Sequence, residues 1–175
     1  MKNFKLMVSG LFKRRGDFEH TIRGYGEHVP ERIRKGKDLF SFVSHVRKYY
    51  DTCDEAERIV YLIADAEIVI TSEGFAKYFT DTQKIQRLPD LINALKAINE
   101  PHTLSVINDF INLVKNRDLP FNAESVELYI KEHLYIARDW NEKFLKHRDQ
   151  RWNRIGEYLN AEDQSAHQDE PPILH

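Results

Sequence analysis

The side chains able to carry chemistry in this 175-residue chain are eight histidines, one cysteine and several acids whose spacing must be tested. The histidines stand at positions 20, 28, 45, 102, 133, 147, 167 and 175, with neither a His-x-x-x-His pair nor an HExxH sequence. Two imidazoles are therefore not set on one helical face as a zinc site requires, and Cys53 adds no zinc spacing. Arg23 and His28 would suit phosphodiester cleavage only on a helix, and Gly24 and Gly26 lie between them. Cys53 has no histidine partner in a nucleophile signature, and no G-x-S-x-G elbow or phosphate-cradling glycine loop occurs. Glu57, Asp65, Glu67 and Glu73 remain. A carboxylate pair for general acid–base work needs folding to bring two of them together. No residue pattern calls for a metal or a cofactor, and the chain reads as a non-enzyme.

Glu67 is the most unusual of these acids. It falls inside an apolar helical stripe, where an unpaired carboxylate is costly. One helix later comes TSEGFAKYFTD, residues 71–81. Gly74 permits a positive φ or a tight approach, and Phe75, Tyr78 and Phe79 fall at i, i+3 and i+4, one face of a short helix suited to filling a core. On the structural reading, Glu67 accepts hydrogen bonds from the amides that open this helix around Ser72–Phe75. On the functional reading, Glu67 and Glu73 form a carboxylate site in a pocket, as in a hydrolase.

The elements that must position these groups are helical. Asp38 caps a stripe of Leu39, Phe42, Val43, Val46 and Tyr50. Asp54 caps the next, with Ala56, Ile59, Val60, Ile63, Ala66 and Ile70. Leu91, Ala94, Leu95 and Ile98 form a third, with Pro89 in its first turn, and Pro101 opens a fourth carrying Leu104, Ile107, Phe110, Ile111 and Val114. From an Asn122 cap, the apolar period runs from Val126 through Tyr129, Ile130, Leu134, Ala137, Trp140, Phe144, Trp152 and Ile155 to Leu159. This is either one extended helix or two with a break in polar 139–149. KLMV and EIVIT are too short to count as strands. The expected fold is all-α, a compact multi-helix bundle over 38–160, with an irregular basic arm at 1–37 and a polar, disordered tail at 161–175.

Charge divides unevenly along the chain. Residues 1–50 carry 12 Lys/Arg and 5 Asp/Glu, residues 51–116 carry 6 and 11, and residues 117–175 carry 8 and 12, for +7, −5 and −4. Asp54, Glu57, Asp65, Glu73 and Asp81 are the candidate acidic surface for a protein partner. Lys13, Arg14, Arg15, Arg32, Arg34, Lys35 and Lys37 form the candidate basic arm, near Phe12, Phe18 and Tyr25. Such an arm either binds nucleic acid or folds back on the chain's own acidic body. No apolar run approaches the ~20 residues of a membrane span. The N-terminus has the wrong order for a secretory signal, and a lone cysteine fits a reducing compartment, so the cytoplasm is expected.

The order AERIVYLIADAEIVITSEGFAKYF, LINALKAIN, INLV and ARDWNEKFLKHRDQRWNRIGEYL resembles the C-terminal domain of the bacterial DNA-mimic protein family over about residues 50–160. Glu67 matches the acid of its first helix. Gly74, Phe75, Tyr78 and Phe79 match its second segment, Ala94, Leu95 and Ile98 its third, and Asn141 or Glu142 with Phe144 its last. Ser72-Glu73, Lys77 and Asn99-Glu100 depart from the family pattern. The resemblance implies an all-α, dimeric, non-enzymatic protein whose acidic surface imitates DNA and occupies a DNA-binding protein. A nucleic-acid-associated module using the arm and a toxin-neutralising protein are the alternatives.

Overall fold

The computed structural model describes residues 33, 35, 37–117, 119–133 and 135–168, with side chains as far as Glu162. Among them are nine α-helices and no strand: α1 Leu39–Tyr49, α2 Glu55–Glu73, α3 Phe75–Thr80, α4 Thr82–Gln86, α5 Leu88–Ala97, α6 Pro101–Lys115, α7 Ala123–Glu132, α8 Ile136–Leu145 and α9 Arg148–Gln168. The chain folds as a compact helical bundle.

α2 is its axis. Asp54 accepts from the Glu57 amide while Glu57 accepts from the Asp54 amide, a reciprocal box that fixes where the helix starts. Val60, Tyr61, Leu62, Ile63, Ala64, Ala66 and Ile70 are buried, so the helix is covered around most of its circumference. α1, α3 and α5 pack on it. α1 is capped by Asp38 and buries Leu39, Phe42, Val43 and Val46, while Tyr50 follows it in a single 3-10 turn and is only partly buried.

α2 stops at Gly74, which has φ +94 and donates its N–H to Ile70 O. An added Cβ there would meet nothing within 4 Å, so the backbone angle rather than crowding selects glycine. The chain restarts at once as α3. Phe75, Tyr78 and Phe79 are 1%, 2% and 1% exposed. The Phe75 ring lies 4.5 Å from Phe79, 5.0 Å from Phe110 and 6.0 Å from Trp140, in an aromatic cluster that joins α3, α6 and α8. Burial pushes the Tyr78 phenol far above its usual range.

Two expectations fail here. The run from Asn122 to Leu159 is neither one helix nor two, but three. Besides the break at 146–147, the chain turns at His133, whose Nδ1 lies 3.0 Å from Tyr129 O and whose ring stacks on Tyr129. Arg117, at the end of α6, pairs with Glu132 and contacts His133, so a tertiary contact ends α7 where the apolar period would have continued it. Leu134 lies outside the described residues. At the other end, α9 continues through Gln168, past the boundary expected at 160.

Of the basic arm, only Ile33, Lys35 and Lys37 are described; Lys13, Arg14, Arg15, Arg32 and Arg34 lie outside the described residues. Ile33 is buried in the core and Lys35 pairs with Glu57 at 2.6 Å, so the arm's last residues fold back on the acidic body.

Candidate functional site

Glu67 is 2% exposed at the middle of the bundle. Its Oε2 accepts from Arg151 Nη2 at 2.9 Å and Nε at 3.3 Å, and its Oε1 accepts from Trp152 Nε1 at 3.1 Å. Arg148 Nε stands 2.8 Å from Oε1 as an ion pair. Arg151, fully buried, also donates Nη1 to Thr103 Oγ1 at 2.7 Å and to Phe144 O at 2.9 Å. Glu100, 1% exposed, accepts from the Thr103 amide at 3.0 Å at the start of α6. Two acids and two arginines thus balance one another while α2, α6, α8 and α9 are tied together. Burial lowers the Arg151 pKa and Glu67 works against that shift; an arginine starting so high keeps its charge.

This corrects the capping role expected of Glu67. The amide of Phe75 donates instead to Asn141 Oδ1 at 3.2 Å, from a residue on α8. Nor do Glu67 and Glu73 share a pocket: Glu67 is enclosed by two arginines and Trp152, whereas Glu73 is exposed at the end of α2. Ala94, Leu95, Ile98 and Phe144, like the three rings of α3, are buried.

The five acids expected to form one outer surface do not lie together on the outside. Glu57 is 4% exposed and held by Lys35 and the Asp54 amide. Asp65 is 3% exposed and pairs with Arg47 of α1 and Lys84 of α4. Each sits at an inward helical position that a desolvated carboxylate tolerates only when paired. Asp81 is half-buried and caps α4 through the Gln83 and Lys84 amides. Asp54 and Glu73 are exposed. A different acidic edge emerges where the start of α2 meets α9. Burial raises the Tyr158 phenol pKa, and the negative potential of Glu162, Glu55 and Asp54 adds to it. Glu55 and Glu162 were missed because the edge joins residues more than a hundred positions apart.

On α7 and α8 several exposed acids are neutralised locally, by Glu127–Lys131, Asp139–Lys143 and Arg138–Glu142 pairs. Among the described residues, no three His, Cys, Asp or Glu side chains converge as metal ligands would, and no helix is long and apolar enough to cross a membrane. Cys53 is buried, which raises its thiol pKa and leaves it a poor nucleophile.

Fold and geometry together define an all-α domain whose inner charges are structural, with Asp54, Glu55 and Glu162 near one another around Tyr158. The family model for DMP19-like proteins, the DNA mimic protein 19 type, matches residues 51–170, and the chain belongs to that family. No curated protein and no solved structure matches it.

Proposed function

We propose that this protein is a non-enzymatic binding module of the DNA-mimic type, occupying the DNA-binding surface of another protein in the cytoplasm. The observation that carries the reading is membership of the DMP19-like family across residues 51–170. Charge supports it: residues 51–175 hold 14 Lys/Arg and 23 Asp/Glu, a net −9. A basic DNA-reading surface attracts such a body and exchanges phosphates for carboxylates. Glu67, the acid best placed for catalysis by sequence, is occupied by Arg151, Arg148 and Trp152 and has no open face for a substrate. The contact surface we assign is the edge bearing Asp54, Glu55 and Glu162. A homodimer, implied by the family likeness, would double that edge; sedimentation mass tests it.

The functional test is displacement. DNA-binding proteins from the native cell are held on immobilised duplex DNA at low salt, and the purified protein is added. Release of a defined DNA-binding protein is expected, and the Asp54→Asn, Glu55→Gln, Glu162→Gln triple variant should release less; asparagine preserves the helix cap. Release no greater than that caused by an unrelated protein of equal negative charge would refute mimicry.

A further inference from the structure

A cleft of about 360 Å³ opens between α1, α2 and α4, lined by Arg47, Tyr61, Asp81, Lys84, Gln86 and Arg87 among others. Two of these cations are joined through the buried Asp65. That carboxylate has one oxygen on Arg47 and the other on Lys84, so two cations share one buried anion. A guanidinium carries five N–H donors and an ammonium three. Arg47 gives Asp65 only its Nη2 and keeps more than half of its side chain exposed, while Lys84 is 15% exposed. Arg87 lies over the Tyr50 ring at 4.0 Å, and its Nη1 has no hydrogen-bond partner among the described residues. The lining's own carboxylate, Asp81, already accepts the Gln83 and Lys84 amides. Burial and the Asp65 charge raise the Tyr61 phenol pKa, against a hydrogen bond from Arg47 that lowers it.

Counting Arg47, Lys84 and Arg87 against Asp65 and Asp81, the cleft has a surplus of one positive charge on a body that is otherwise acidic. It offers donors from three cations, a phenol and amides, with both Asp65 oxygens and Asp81 Oδ1 engaged. The volume falls at the small end of ligand sites. We infer that this cleft binds a phosphate group, presented either as inorganic phosphate or on a small phosphomonoester such as a nucleoside monophosphate. Arg47 and Arg87 would hold the oxygens from two sides and Lys84 from below, as planar guanidinium forks suit tetrahedral oxyanions. The inference is independent of DNA mimicry, since the cleft uses none of the edge acids.

Calorimetric titration of the full chain at fixed ionic strength tests it, with inorganic phosphate, adenosine 5′-monophosphate and chloride in separate arms. Saturable binding of either phosphate-bearing probe, with chloride silent, is expected. Binding of the nucleotide alone would assign the cleft to phosphomonoesters, and equal binding of both would assign it to free phosphate. Arg87→Gln removes a donor, and Gln86→Glu places a like charge at the exposed rim; both leave the Asp65 pairs intact. Each should weaken binding at least about tenfold. Gln86→Glu alters an exposed side chain, so it stays informative even if loss of the Arg87–Tyr50 contact perturbs folding. No saturable heat with either probe, heat equalled by chloride, or affinity unchanged in Gln86→Glu would overturn the assignment.

Discussion

Replacing Glu67 with glutamine separates a structural from a catalytic carboxylate. Every near neighbour of Glu67 is a donor: two N–H groups of Arg151, the Trp152 indole and the Arg148 guanidinium. A carboxylate offers acceptors on both oxygens, whereas an amide offers one oxygen and turns an NH2 group on whichever partner remains. Either the Arg151 fork or the Trp152 and Arg148 side then meets a donor. Two lost charge-assisted bonds, at about 1.5–3 kcal/mol each, give roughly 3–6 kcal/mol. Removing one partner of a buried ion pair costs about 3–5 kcal/mol by direct measurement elsewhere. The two routes agree near 4 kcal/mol, a large share of the ~5–15 kcal/mol by which domains are stable. Arg151 would keep its bonds to Thr103 and Phe144, which holds the loss below complete unfolding.

Urea unfolding followed by tryptophan fluorescence reads this directly, because Trp152 is one of the partners. The midpoint should fall by about 2 M at an m-value near 2 kcal/mol/M, with m unchanged. Combining Glu67→Gln with Arg151→Met should cost less than the sum of the single changes by at least ~2 kcal/mol, the signature of one network. A Glu67→Gln protein within about 1 kcal/mol of the parent would refute the reasoning and return Glu67 to the candidates for chemistry.

Gly74→Ala should cost about 1–2 kcal/mol from the positive φ alone, since the new methyl group meets nothing; parental stability in urea would show that the chain leaves that angle freely. Glu57 sets an acid-side dependence. Burial pushes its carboxyl up, but hydrogen bonds from Lys35 and the Asp54 amide outweigh that and bring it below its usual 4.5. A lowered folded pKa means stability present above the unfolded value and lost as pH falls through the folded one. Glu57→Gln, which retains the capping box, should therefore flatten the stability curve below about pH 4.5, and an acid limb parallel to the parent's would refute the linkage.

Local chemistry was legible and long-range chemistry was not. Asp38, Asp54 and Asn122 announce their helices because a cap is bonded to an amide three residues on. The break at Gly74 and the inward face of α3 follow from a positive φ and an i, i+3, i+4 pattern, both local. Glu67 was recognisable as anomalous from its place in an apolar stripe, but its partners lie 84 and 85 residues downstream and no spacing encodes them. Asp65 carried no such flag, and its two cations come from separate helices. The turn at His133 is invisible for a related reason: Arg117 imposes it from 15 and 16 residues away, against an unbroken helical period.

The distribution of acids bears on what mimicry demands. Duplex DNA presents a negative charge about every 1.7 Å of axis, so an imitation depends on local spacing rather than on net charge. Of the 23 acids in residues 51–175, Glu57, Asp65, Glu67 and Glu100 are buried in the core. Glu127, Glu132, Asp139, Glu142 and Glu157 each face a lysine or arginine within ion-pair reach. A basic partner approaching α7 or α8 meets alternating signs, with little field to hold it through a Debye length of about 8–10 Å. Around Tyr158, where burial is the main cause of the raised phenol pKa, Glu162, Glu55 and Asp54 instead add their negative potentials. The net charge is modest and the buried and paired acids are out of reach, so a contact of the proposed kind would rest on exposed acids such as Asp54, Glu55 and Glu162.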